Sequence, residues 1–136
     1  MKKIKVLQII ESTGKSGPRY LLCNLVHNLD KDRFEVEVLC SILRDTDFLI
    51  DIEKMKAAGI KVVVLAMERK ISLWSDLIAF FKLCFYITKG RYDIVHTHSS
   101  KAGFLGRLAA RLMGVRTLIH TPHCFCFEAL DMHRIE

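Results

Sequence analysis

Three short stretches of the 136-residue chain hold residue types able to do chemistry. The first is Gly14-Lys15-Ser16-Gly17-Pro18. Glycines let backbone approach a bound group closely, and Pro18 suits the first turn of a helix, where its missing N–H costs nothing. A helix starting there would offer free amides and a partial positive charge to a phosphate. Gly-Lys-Ser invites comparison with a P-loop, but Ile9 stands where that motif needs its first glycine. The spacing G-x-G-x-x-G is absent as well. An ordinary tight turn is the alternative reading.

The second stretch is His96-Thr97-His98-Ser99-Ser100-Lys101-Ala102-Gly103. In a strand, period two puts His96 and His98 on one side. Ser99, Ser100 and the Lys101 amide would then form another helix start open to an anion. Two histidines alone do not define a metal site, and the preferred reading is one buried ring with its hydrogen bonds satisfied and the other capping the strand. The third stretch is His120-Thr121-Pro122-His123-Cys124-Phe125-Cys126. Its Cys-x-Cys lacks the two-residue gap of a zinc knuckle, so no metal is expected. Nothing marks a base and an orienting carboxylate beside Cys124 or Cys126, so no thiol nucleophile is assigned.

These stretches need elements to hold them, and the hydrophobic pattern supplies five strands and four helices. Lys3–Ile10, Phe34–Ser41, Ile60–Ala66, Asp93–Thr97 and Val115–Thr121 read as strands. Between them, helices are predicted from Pro18 to Leu29, Thr46 to Ala58, Ser72 to Lys89 and Lys101 to Met113. Gly59, Gly90 and Gly114 are expected to stop the last three, with Ser99 or Ser100 capping the fourth. From Phe125 onward the pattern assigns nothing. The first, third and fifth strands are near-continuous apolar runs, as in a parallel sheet covered on both faces. The expected fold is therefore α/β: a doubly wound, Rossmann-like parallel sheet of about five strands with flanking helices. Residues 1–136 read as one partial domain, without repeat or linker.

Composition narrows the classes. With 51% hydrophobic and 26% charged residues, the chain is neither disordered nor collagen-like. The five cysteines are odd in number and form no disulfide framework, so a reducing cytoplasm is expected. No run of 18 uncharged apolar residues exists, and no signal peptide is read. Net charge is +6, and residues 81–120 carry seven Lys and Arg against Asp93 alone. A basic segment of this kind could meet nucleic acid, anionic lipid or a phosphorylated ligand, or could simply be a solvated helix face.

Taken together, the sequence resembles the N-terminal domain of GT-B glycosyltransferases, in particular the large retaining group called family four. The resemblance rests on Gly14-x-x-Gly17 after the first strand, and on Tyr92-Asp93-Ile94-Val95 leading into the His96–Gly103 stretch. Gly106-Arg107-Leu108-Ala109-Ala110-Arg111 and His120-Thr121-Pro122-His123 complete it. It implies that Gly14, Ser16 and Gly17 approach the donor phosphates of a nucleotide-sugar. It implies acceptor-side roles for His98, Ser99, Ser100 and Lys101, and a catalytic place for His123 beside the transferred sugar. The acceptor would be a glycan or a lipid-linked glycan, and no metal or other cofactor is implied. Ser16-Gly17 stands where the family usually has Gly-Gly, and Cys124 where it often has Gly or Ala.

Such a cleft has two walls. The resemblance implies that a C-terminal donor domain is missing and must be supplied in cis or in trans, and that 1–136 alone is inactive. A non-catalytic subunit of a split transferase is the runner-up. A nucleic-acid module ranks last, because Trp74, Phe80, Phe81 and Phe85 fall at core-like helical positions. In the helix predicted from Ser72 to Lys89, Leu73, Leu77, Phe80, Cys84 and Ile87 are expected to face the core. A second stripe of Trp74, Ile78, Phe81 and Phe85 exceeds what one sheet buries. It is expected to meet either an anionic membrane surface, as a peripheral protein, or the remainder of the protein.

Overall fold

A computed structural model describes residues 1–11, 14–15, 17–43, 46–68 and 70–123. Ser16, Cys124, Cys126 and everything expected of them lie outside the described residues. The elements alternate: β1 (Ile4–Ile10), α1 (Gly17–Asn28), β2 (Phe34–Cys40), α2 (Phe48–Ala57), β3 (Lys61–Val64), α3 (Leu73–Gly90), β4 (Ile94–His98), α4 (Ser100–Leu112) and β5 (Thr117–Thr121). The five strands form one sheet in the order β3-β2-β1-β4-β5, and every pairing is parallel. Strand β1 is central, with Ile10 beside Cys40 on one flank and His98 on the other. The chain winds outward through β2 and β3, then crosses back to start β4 against β1. The doubly wound sheet expected from the sequence is the one observed.

Period two divides the core between the two faces. Ile10, Val38 and Cys40 pack with Leu22 and Val26 of α1 and with Phe48, Ile52 and Met55 of α2. Leu7, Ile9, Leu39 and Val95 pack with Ala79, Leu83 and Ile87 of α3 and with Ala102, Leu105, Ala109 and Ala110 of α4. The small residues of α4 bring that helix close to the sheet. A Cβ at Gly106 would stand 2.9 Å from Thr97 Cγ2 and 3.1 Å from Ile9 Cδ1, both on fully buried side chains. Gly106→Ala is therefore expected to cost about 1–3 kcal/mol of stability through overpacking. Chemical denaturation of the variant checks this, and an unchanged midpoint would contradict the close approach.

Three local expectations need correction. Gly90 does not stop α3: it is the last helical residue, and Arg91 takes the left-handed conformation at φ 52°. Gly90 is instead needed for space, because a Cβ there would lie 2.2 Å from the Tyr92 ring. Gly59 and Gly114 do take the left-handed φ expected of helix stops. Secondly, the buried line of α3 is Ala79, Leu83 and Ile87; of the expected stripe, Ile87 is buried and Phe80 and Cys84 pack against the core, while Leu73 and Leu77 do not face it. Leu73 and Leu77 are exposed, as are Trp74 (76%), Ile78, Phe81 and Phe85 (69%). The helix is apolar nearly all round, so its periodicity could not single out the sheet-facing side. Thirdly, neither Ser99 nor Ser100 caps α4 with its side chain. Ser99 has φ 69° and makes no cap bond, and a glutamate from another strand takes that role.

Candidate active site

The crossover from β3 to β4 reverses the winding, so helices α1 and α4 leave the sheet on opposite faces from adjacent strands. A crevice opens there, outside the C-terminal ends of β1 and β4, where open α/β sheets bind ligands. Glu11 follows β1 directly and is buried. Its carboxylate accepts the Ser99 hydroxyl proton and the backbone N–H groups of Lys101 (3.3 Å) and Ala102 (2.8 Å). The helix start that the sequence left open to an anion thus already holds one, from the chain itself. A carboxylate at that end satisfies orphan amides and complements the helix dipole.

Lys101 turns away from the crevice. Its ammonium group pairs with Asp76 Oδ1 at 2.6 Å and donates to the Lys70 carbonyl at 2.5 Å, which ties α4 to the start of α3. Ser100 is exposed at the first turn of α4. Together with Glu11, Asp76 and Lys101 it borders a groove of about 740 Å³ between α3 and α4, whose other walls are apolar residues such as Ile71, Leu77, Phe104 and Leu108.

The histidines divide by face. His96 and His98 share the α1/α2 side of β4, with ring centroids 4.2 Å apart. His98 is fully buried. Its Nε2 lies 2.8 Å from Gln8 Oε1, and its Nδ1 lies 3.3 Å from His123 Nε2. His96 Nε2 meets the Thr121 hydroxyl at 2.8 Å. His120 points to the opposite face: its Nδ1 meets the Thr97 hydroxyl at 3.0 Å, and its ring fills the space over Gly103. The third stretch is therefore split by the sheet, and His120 and His123 do not converge. Among the described residues no group of three or more His, Cys, Asp or Glu side chains could hold a metal ion.

Electrostatics favour neutral rings throughout. Burial pushes the His98 pKa down to about 3, helped by His96, His123 and His120. Burial also lowers His96, His120 and His123, and the Arg107 guanidinium adds to the effect at His120.

On the other side of the crevice, Gly14 and Gly17 flank the entry to α1. A Cβ at either position would meet nothing within 4 Å, and neither has a left-handed φ. Nothing described in the fold requires a glycine at these positions. Lys15 pairs with Asp47 at 3.0 Å, while Arg19 turns inward to Asp51 at 2.6 Å and joins α1 to α2.

The structure thus gathers His98, Ser99 and His123 around one edge, but engages the Lys101 side chain elsewhere. Glu11 and Gln8 were missed in the sequence. Gln8 carried a usable signal: it is a polar residue inside an otherwise apolar run, and a buried polar group needs a partner.

An open, doubly wound parallel sheet with polar residues gathered at its switch point defines a Rossmann-like domain. Residues 16–134 match the family described as glycosyl transferase 4-like domain, and the chain belongs to that family. It is 36% identical over 128 residues to the UDP-Gal:alpha-D-GlcNAc-diphosphoundecaprenol alpha-1,3-galactosyltransferase of Escherichia coli. That match covers 93% of this chain and 32% of the relative, so the chain spans about a third of its length. Among solved structures, MurG of Acinetobacter baumannii superposes with a TM-score of 0.66 at 20% identity, covering 97% of this chain and 39% of MurG. A putative UDP-N-acetylglucosamine 2-epimerase of Listeria monocytogenes gives 0.67 at 22% identity, covering 89% and 32%. These two likenesses establish the fold alone.

Proposed function

We propose that the chain is the acceptor-side part of a glycosyltransferase that moves a sugar from a nucleotide-sugar to a lipid-linked or glycan acceptor. The observation that carries this reading is the crevice between β1 and β4. It has a glycine-flanked helix start on one side and the His98–His123 pair on the other. The first turn of α1 holds no acidic residue, which favours a diphosphate at that helix start. Ser16 would belong to the same phosphate loop. His123 would lie beside the transferred sugar, with His98 and Ser99 behind it and Ser100 at the mouth of the acceptor groove.

The relative's acceptor is a diphosphoundecaprenol-linked sugar. The apolar groove between α3 and α4 supports an acceptor of that class, with its lipid along the groove and its sugar toward Ser100. The exposed stripe of Trp74, Ile78, Phe81 and Phe85 on α3 lies outside that groove and supports contact with an anionic membrane at its cytoplasmic face. No described helix is long and apolar enough to cross a membrane. The transfer is read as retaining and free of metal. Its work is to hold the sugar in line and to stabilise the departing diphosphate by helix ends. One wall of the cleft cannot do this, so a donor-binding domain completes the site in cis or in trans.

The test is sugar transfer from a radiolabelled UDP-hexose to a diphosphoundecaprenol-linked sugar in anionic vesicles. The 136-residue chain alone should show no turnover, and turnover should appear once a donor domain is joined or added. His123→Ala in the completed enzyme should lower kcat by about 10²–10³-fold, the range for losing one transition-state contact. Turnover by the chain alone, or full activity of His123→Ala, would contradict the reading.

A further inference from the structure

The geometry points to a buried relay in which Gln8 and His98 fix the tautomer of His123, holding its proton on Nε2 and leaving Nδ1 as the bare nitrogen. Its catalytic meaning rests on the reading of His123 given above. The relay itself rests on three side chains from β1, β4 and the end of β5.

Gln8 and His98 are both buried, on adjacent strands and on the same face of the sheet. The amide oxygen of Gln8 faces His98 Nε2 at 2.8 Å. An amide oxygen can only accept, so the proton of His98 sits on Nε2. A neutral imidazole carries one N–H, so His98 Nδ1 is a lone pair. Burial among three other histidines keeps this ring neutral. Among the described residues the partner facing that lone pair is His123 Nε2 at 3.3 Å, with the two rings inclined by 24°. His123 must then donate from Nε2.

The consequence is a polarity for the site. Among the described residues no group faces His123 Nδ1, and in this tautomer it accepts. The ligand group opposite it is therefore a donor, of which a sugar hydroxyl is the natural class, and not a phosphate or carbonyl oxygen. Gln8 and His98 are positioning residues: they touch no substrate and act through the proton they place on His123. Hydrogen bonds to the far nitrogen set ring tautomers in the same way in other histidine sites.

The experiment is long-range ¹H–¹⁵N NMR of the histidine rings in the ¹⁵N-labelled chain at pH 7.5. In the unaltered chain, His98 and His123 should both show a protonated Nε2 and a bare Nδ1. Gln8→Met removes the acceptor, and the His123 pattern should collapse to a mixture or reverse. Gln8→Glu keeps an oxygen in place and should restore the unaltered pattern. A proton on His123 Nδ1 in the unaltered chain would overturn the relay. So would a His123 pattern indifferent to Gln8→Met. If Gln8→Met does not fold, the unaltered chain and Gln8→Glu still decide. In the completed enzyme, Gln8→Met should lower kcat and leave KM unchanged. A reversed tautomer with undiminished kcat would instead count against the role of His123 in transfer, while the relay stood.

Discussion

Replacing Glu37 by Ala is expected to lower the unfolding free energy by about 2–6 kcal/mol, because two tyrosine hydroxyls lose their shared charged acceptor. Glu37 lies on β2 with its side chain 7% exposed. Its Oε2 accepts the hydroxyl protons of Tyr92 at 2.6 Å and Tyr86 at 2.7 Å, and Lys61 Nζ lies 3.2 Å away. Burial alone would push this carboxyl up. The hydrogen bonds from Tyr92, Tyr86 and Lys61 outweigh it and hold the pKa below the usual carboxylate range. The two tyrosine hydroxyls move the opposite way, raised by burial and by the carboxylate they serve. Removing Glu37 strands both hydroxyls beneath α3. Urea unfolding of Glu37→Ala should show the loss, and Tyr92→Phe should show a smaller one of about 1.5–3 kcal/mol. Lys61→Met should change little, because that side chain is 62% exposed and its pair is screened. Equal midpoints for Glu37→Ala and the unaltered chain would contradict the cluster.

The second large effect is on pH. His98 is fully buried with its pKa pushed down to about 3. Below pH 6.5 the unfolded chain takes up a proton at this position and the folded chain does not. The unfolded state then binds more protons, so stability rises with pH in this window and is lost as pH falls. The loss is about 1.4 kcal/mol per pH unit for one group that stays neutral. His96, His120 and His123 are displaced in the same direction and steepen the slope. The stability due to Glu37 is present above its unfolded pKa and is lost only below about pH 4.3, outside this window. Urea midpoints at pH 7, 6 and 5 at fixed ionic strength measure the slope. His98→Gln keeps amide partners for Gln8 and His123 but cannot titrate, so its slope should be shallower by about one proton. An unchanged slope would mean that the folded chain does protonate His98.

The strands and helices were legible because their cause is local. Short β-branched apolar runs between glycines and turn residues read as strands. The cover expected on both faces holds only for the central β1, because β3 and β5 lie at the sheet edges and bury no residue fully. The alternating order then leaves a doubly wound parallel sheet as its economical packing. The placement of His96 and His98 on one side was likewise settled by period two, and the family was legible only as a resemblance carried by the motifs at the strand ends. The tertiary structure decided which polar groups meet. Glu11 and Ser99 are 88 residues apart in the chain, and Gln8 and His98 are 90 apart. They touch only because β4 returns to the centre of the sheet, a crossover that no local pattern encodes. The same is true of Glu37, which alternation marks as an ordinary polar strand position until α3 covers that face. For α3 itself, an all-round apolar helix carries no phase information. Packing against the sheet selected Ala79, Leu83 and Ile87, and left Trp74, Phe81 and Phe85 exposed.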